Sequence, residues 1–263
     1  TIEFRKYDSL PKADTPLTEG VTPSGNSLTV TSITCPLKQY GDWIQMSDML
    51  QMTAVDNNVL QATKLLGSQA GRTLDTVIRE ELCGGTNVMY APKTASGAKT
   101  EVTSRAALDK TAVLTPELFF KAAAQLSAMN ADYIDDSYVA IIHPYAAYDL
   151  MRNSEWIDVH KYADPQAIYD GEIGKLGSVR FVSSTEAKIW KDSTCPSGLG
   201  VFATLVLGAH AYGDTMIEGG GLEHIVKQLG YGNDPLNQRS ACGWKATKAA
   251  KRLVEEYMIR IES

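Results

Sequence analysis

The sequence predicts an α+β fold, and three observations carry that expectation. The stretch from Asp56 to Leu82 has helical periodicity over an unusual length, the first fifty residues read as extended chain with two-residue alternation, and the later strands and helices form separate runs.

The long helix organises the rest. Val59, Ala62, Leu66, Ala70, Leu74, Val77, Ile78 and Leu82 recur three or four apart and draw one apolar stripe. Lys64, Gln69, Arg72, Asp75 and Arg79 occupy the other face, where water can solvate them. Thr53 or Asp56 is the expected N-cap, and Gly84-Gly85 the stop. At 1.5 Å per residue the helix would run roughly 40 Å, well beyond the usual three turns. Gly67 in its interior costs about 1 kcal/mol against alanine, which suggests a close contact there. A narrow stripe of this length needs another element lying along it.

Taken in order, the chain opens with Ile2 and Phe4 alternating with Glu3 and Arg5, the pattern of a half-buried strand. Asp8–Asn26 holds Pro11, Pro16, Pro23, Gly20 and Gly25 with little that could form a core, too long a stretch for an idle turn. Alternation resumes at Leu28–Ile33, and a further extended run covers Leu37–Met46. Together these residues describe a long β-hairpin with a proline-rich tip, and an isolated hairpin is marginal in water, so this arm needs a partner surface.

After the long helix, Asn87–Lys110 reads as a polar connection with short edge strands. Thr115-Pro116-Glu117 opens a helix with Thr115 as N-cap and Leu118, Ala122, Leu126 and Met129 as its buried stripe. Tyr138–Ile142, Val179–Val182 and Gly200–Leu207 read as strands, and Tyr145–Met151 as a helix. Asp158–Gly177 reads as irregular, Gly219–Gly221 as a turn before Ile225–Leu229, and the tail ends in alternation through Ile261.

Composition narrows the function classes. The 263 residues carry a formal net charge of −6, which argues against a dedicated nucleic-acid surface. The 44% hydrophobic content fits a globular domain, and there is no run of apolar residues long enough for a transmembrane helix. Cys35, Cys83, Cys195 and Cys242 show no metal-binding spacing and are expected to be reduced thiols. Thr1 already lies in a strand-like pattern, so residues preceding it are expected.

The candidate chemical motifs are incomplete. Gly219-Gly220-Gly221 lacks the third glycine of a dinucleotide loop, where His224 stands, and Gly174-Lys175 lacks the spacing of a phosphate loop. His143 before Pro144 is the best-placed histidine for chemistry, with Asp135 and Asp136 upstream to orient it, but a structural role is the expectation. Asp132, Asp135 and Asp136 lack the glycine and terminal glutamate of a calcium loop. No catalytic, cofactor or metal site is predicted.

Several runs stand in a consistent order: Thr15-Pro16-Leu17-Thr18-Glu19-Gly20-Val21-Thr22-Pro23, Gln39-Tyr40-Gly41-Asp42, and Gln69-Ala70-Gly71-Arg72-Thr73-Leu74-Asp75. Ile141-Ile142-His143-Pro144, His160-Lys161-Tyr162-Ala163, Gly171-Glu172-Ile173-Gly174 and Asp234-Pro235-Leu236-Asn237-Gln238-Arg239-Ser240 follow. Gly243-Trp244-Lys245-Ala246 and Tyr257-Met258-Ile259-Arg260-Ile261-Glu262 complete the set, which spans nearly the whole chain. Together they resemble the major capsid proteins of tailed phages, in the coliphage N-four-type family with the Hong Kong 97 capsid fold. The family's N-terminal arm, which normally precedes the first strand, has no counterpart after Thr1.

The resemblance implies an extended loop over residues 1–46, a peripheral domain with the long helix as its spine over 47–112, an axial domain over 113–232, and a return to the peripheral sheet over 233–263. It implies a non-enzymatic shell protein that self-assembles in hexamers and pentamers around a double-stranded DNA genome. Decoration, scaffolding and portal proteins would be further partners, with packaged DNA held without sequence-specific contacts, no cofactor and no membrane. Assembly would occur in the bacterial host cytoplasm and the product would be the virion capsid. Thr15, Pro16, Leu17, Glu19, Gly20 and Pro23 at the loop tip would be subunit contacts. Members of this fold can cross-link through a lysine of the extended loop; Lys12 and Lys38 lie there, but no motif carries that chemistry onto either, so non-covalent assembly is expected. An encapsulin-like compartment shell and a soluble α+β enzyme are the rival readings.

Overall fold

The computed structural model describes residues 1–95, 98–161, 172–215 and 219–263. In chain order its elements are β1 (Ile2–Tyr7), β2 (Val30–Cys35), β3 (Lys38–Ser47), α1 (Asp48–Thr53), α2 (Asn58–Cys83), β4 (Val88–Tyr90), β5 (Lys93–Ala95) and β6 (Ala98–Thr100). Next come α3 (Pro116–Ala128), β7 (Tyr138–Ile142), α4 (Pro144–Met151), α5 (Ser154–Lys161), β8 (Glu172–Leu176), β9 (Val179–Ser183) and β10 (Ile189–Trp190). The last are β11 (Val201–Leu207), β12 (Tyr212–Asp214), β13 (Glu223–Lys227), β14 (Arg239–Lys248), β15 (Ala250–Arg252) and β16 (Met258–Glu262).

Helix α2 forms where the periodicity places it, with its cap moved by one residue: the Asn57 side chain, not Thr53 or Asp56, accepts the Leu60 N–H. Residues 48–53 form a separate short helix whose N-cap is Ser47. The predicted stripe buries Ala62, Leu66, Ala70 and Leu82, and the element along it is a three-stranded sheet in the order β13-β14-β3. Strand β14 turns Cys242, Trp244 and Ala246 onto Ala62, Leu66 and Ala70, with Met46 of β3 beside them. Gly67 meets no such neighbour: a Cβ there would find nothing within 4 Å, so the close contact expected from this glycine is not formed.

The polar face of α2 does more than meet water. Gln69 donates to Asp42 at 2.6 Å and accepts from the Trp244 indole at 3.2 Å. Arg72 pairs with Glu186 at 2.6 Å, and Arg79 donates to the Glu186 carbonyl. These bonds fix the helix rotationally over the strands beneath it.

The main core lies in a mixed seven-stranded sheet ordered β4-β16-β11-β7-β9-β8, with β10 on β11. One face is covered by α3, α4 and α5, whose Phe119, Leu126, Leu150 and Trp156 pack with Ile142, Phe181, Val206 and Ile259. The other face receives the end of α2, where Leu82 and Cys83 meet Ala203, Leu205, Leu207 and Met258. Burial on both faces explains why β11 reads Val-Phe-Ala-Thr-Leu-Val-Leu with no polar alternation.

Four expectations change here. Lys38–Ser47 does not belong with the hairpin of β1 and β2; it pairs along its length with β14, because its alternate residues Ile44 and Met46 need the α2 stripe. Met129 is exposed at the end of α3, since the helix stops at Ala128 before its stripe would return, and the Thr115 hydroxyl makes no capping bond. The stretch read as irregular from Asp158 to Gly177 instead holds the end of α5 and all of β8, while residues 162–171 lie outside the described residues.

Leu66 is 2% exposed and its neighbour Leu65 is 66% exposed. Leu66→Ala should therefore cost about 2–5 kcal/mol of unfolding free energy and Leu65→Ala less than about 0.5, read by urea denaturation. Equal losses would show that the stripe does not carry the packing.

Candidate functional site

Strands β1 and β2 pair antiparallel in register from Ile2↔Cys35 to Tyr7↔Val30. Their base is anchored: the Phe4 ring lies so close to β12 that a Cβ on Gly213 would fall 2.8 Å from it, and the Cys35 thiol donates to the Ala250 carbonyl at 3.6 Å. Asp8 N–H donates to the Thr29 carbonyl at 3.2 Å and closes the ladder. Residues 9–32 are exposed, Leu17 at 78%.

The predicted contact residues Thr15, Pro16, Leu17, Glu19, Gly20 and Pro23 all lie in the exposed stretch between β1 and β2. Val21 N–H donates to the Thr18 carbonyl at 3.2 Å, with Gly20 at φ +75°, the left-handed position that such a turn reserves for glycine. Lys12 lies on the same tip, whereas Lys38 sits in β3, opposite Lys248 of β14. Leu10, Leu17 and Val21 are exposed on this stretch.

The residues weighed for chemistry have other work. His143 is the N-cap of α4: its Nδ1 accepts the Tyr145 N–H at 3.2 Å, and its ring lies 5.3 Å from that of Tyr145 and 5.0 Å from that of Phe202. Burial pushes its pKa below the ordinary histidine value. Asp136 pairs with Lys175 at 3.1 Å and accepts from Ser137, so it does not orient the imidazole. Among the described residues no group of three His, Cys, Asp or Glu could hold a metal ion, and no helix is long and apolar enough to cross a membrane. Gly219, at φ +77°, makes a turn before β13.

The cysteines are unpaired; Cys35, Cys83 and Cys242 are buried, and desolvation pushes the Cys83 thiol up to about 11. That thiol stays protonated at neutral pH and is a poor nucleophile.

One buried charge cluster has the density of an active site. Glu262, fully buried, accepts from Arg105 through both oxygens at 2.7 Å and from Arg260 Nε at 2.9 Å. The Arg105 guanidinium lies 3.7 Å above the Trp190 ring, and its carboxylate partner holds its pKa above the usual arginine value. Arg260 goes on to donate to the Gly85 carbonyl at 2.9 Å and to the Cys83 carbonyl, while Arg252 donates to the Glu81 carbonyl at 3.0 Å. The cations satisfy open carbonyls at the C-terminus of α2 and complement its dipole, which makes the cluster a clamp. Sequence reasoning missed it because its members lie far apart in the chain.

The described geometry is a hairpin anchored at its base and a buried charge clamp at the end of α2. The chain belongs to the phage capsid protein family, whose model matches residues 41–220. No curated protein sequence matches it. Among solved structures it is similar to the capsid of Ralstonia phage GP4, at 14% identity and TM-score 0.72, covering 100% of this chain and 82% of that one. It is also similar to the capsid structure of cyanophage P-SCSP1u, at 15% identity and TM-score 0.71, covering 99% of this chain and 82% of that one. The holo-SrpI encapsulin complex of Synechococcus elongatus matches at 9% identity and TM-score 0.54, over 89% of this chain and 77% of that one.

Two outcomes test this account of the buried groups. Glu262→Gln leaves two guanidiniums without their carboxylate and should cost about 3–5 kcal/mol in urea denaturation, against less than about 0.5 for exposed Glu256→Gln. An unfolded histidine takes up a proton below about pH 6.5, which His143 resists when folded, so its contribution to stability is complete above that pH. It should be lost as pH falls from about 6.5 towards the lower folded value, and melting curves of His143→Asn should show a flatter pH dependence over that interval.

Proposed function

We propose that this chain is the major capsid protein of a tailed phage, of the coliphage N-four type with the Hong Kong 97 fold, which self-assembles through hexamers and pentamers into an icosahedral shell around a double-stranded DNA genome. The observation that carries the reading is the exposed tip on a base anchored by Phe4 and Cys35, in a chain of the phage capsid family. An arm with apolar side chains and no cover of its own calls for other subunits to cover it.

In this reading residues 1–46 are the extended loop, whose projecting part is β1, β2 and the tip. Residues 47–112 form the peripheral domain with α2 as its spine, 113–232 the axial domain, and 233–263 the return to the peripheral sheet. Thr15, Pro16, Leu17, Glu19, Gly20 and Pro23 make subunit contacts without covalent cross-links. Decoration, scaffolding and portal proteins are further partners, and assembly takes place in the bacterial host cytoplasm before the virion is complete. The net charge of −6 fits DNA enclosed by the shell without a dedicated binding surface for it. Family membership favours this over a soluble enzyme, and the higher TM-scores with phage capsids favour it over an encapsulin-like shell.

The test replaces Lys12–Pro23 with a short Gly/Ser linker. Loop length costs little entropy, so circular dichroism should show an unchanged fold. Sedimentation velocity should show that particles no longer form. Full-sized particles from the shortened chain would sink the proposal, and a chain that fails to fold would assign the segment to the subunit's own core.

A further inference from the structure

The sheet β13-β14-β3 has a second face. Its inner residues Met46, Cys242, Trp244 and Ala246 are used by α2, and the alternate residues point away from the helix. In the middle of that outer face Gly243 is paired on one side with Trp43 and on the other with Ile225. Trp43 is 61% exposed. Ala241 continues the floor and Gly41 lies on the strand of Trp43, so the face is a trough of about 420 Å³ with an indole wall, an Ile225 wall and almost bare backbone between. The glycines are required there: a Cβ on Gly243 would fall 2.9 Å from the Trp43 Cβ, and one on Gly41 would fall 2.6 Å from the Trp244 carbonyl oxygen.

A bare floor beside an exposed indole suits extended, proline-containing chain. Proline rings stack on aromatic walls, and a segment already fixed in φ loses little entropy on docking. The chain carries such a segment in its tip, with Pro11, Pro16 and Pro23 and the exposed Leu17 and Val21. Charge agrees. The tip holds Asp14 and Glu19 against Lys12; at the trough the Asp42 oxygens accept from Gln69 and the Trp43 N–H, and Lys227, its ammonium 4.9 Å from the Tyr231 ring centre, stands outside the carboxylate pairs of the described residues. Residues 9–32 of a chain are exposed, so its own tip does not fill its own trough.

We infer that the trough between Trp43 and Ile225 is the seat for the proline-rich tip of a second copy of this chain. The inference rests on the proposed role of the tip as a subunit contact and names the surface that receives it. Trp43 is the anchor, Gly41 and Gly243 admit the incoming backbone, and Lys227 meets the acidic flank of the tip.

The experiment mixes two populations of the full chain under assembly conditions. One carries the photo-cross-linker p-benzoylphenylalanine in place of Leu17, and the other is labelled with heavy isotopes. Mass spectrometry should place light-to-heavy cross-links on Lys38–Ser47, Glu223–Lys227 or Arg239–Lys248. Trp43→Ala in the heavy chain should lower their yield roughly tenfold, as loss of an aromatic anchor does, while its melting curve stays that of the unaltered chain. Cross-links between copies that map to another surface, or a yield that Trp43→Ala leaves unchanged, overturn the trough as the seat and leave the tip as a subunit contact. Cross-links confined to one chain, or none, overturn both.

Discussion

Glu262 is the last residue of the last strand, and its two oxygens hold Arg105 from a connecting segment and Arg260 from its own strand. Through Arg260 the same carboxylate reaches the open carbonyls of Cys83 and Gly85 at the end of the long helix. A buried carboxylate facing fewer cations, or buried guanidiniums without it, would carry a desolvation cost comparable with a domain's whole stability. The helix end, the edge of the large sheet and the segment after β6 are therefore fixed by one charge balance, with Trp190 as its aromatic lid.

That clamp gives the long helix its mechanical role. Its C-terminal turn is buried against the seven-stranded sheet, and its middle lies on the three-stranded one. The helix is the beam that connects two sheets which do not pair with one another, and its polar side adds bonds from Gln69, Arg72 and Arg79. The hairpin is seated near the same junction, with Phe4 on β12 and Cys35 on β15.

Chemistry-bearing residues show the complementary lesson. His143 before Pro144 has the sequence of a poised base, yet its ring nitrogen closes a helix N-terminus between two aromatic rings. In the buried Glu262 clamp the charges pair with one another, and Arg260 goes on to backbone carbonyls of the same chain. Both sites spend their polarity on holding the fold together.

The sequence by itself determined the local elements, because their signals are local. The α2 stripe, the α3 start at Thr115-Pro116, the β-branched runs at 138–142 and 201–207 and the exposed, proline-rich character of 8–29 all follow from residues within one turn or one strand of each other. Ordered motifs added the family. Tertiary structure decided what depends on distant partners: that Lys38–Ser47 leaves the hairpin for β14, and that Gly67 faces open space. The Glu262 clamp belongs to the same group, since Arg105 and Glu262 become neighbours only when the sheet is assembled and burial makes their pairing obligatory. So does the Trp43 trough, whose walls come from β3 and β13 and whose floor is β14, a surface that exists only once the three strands are in register.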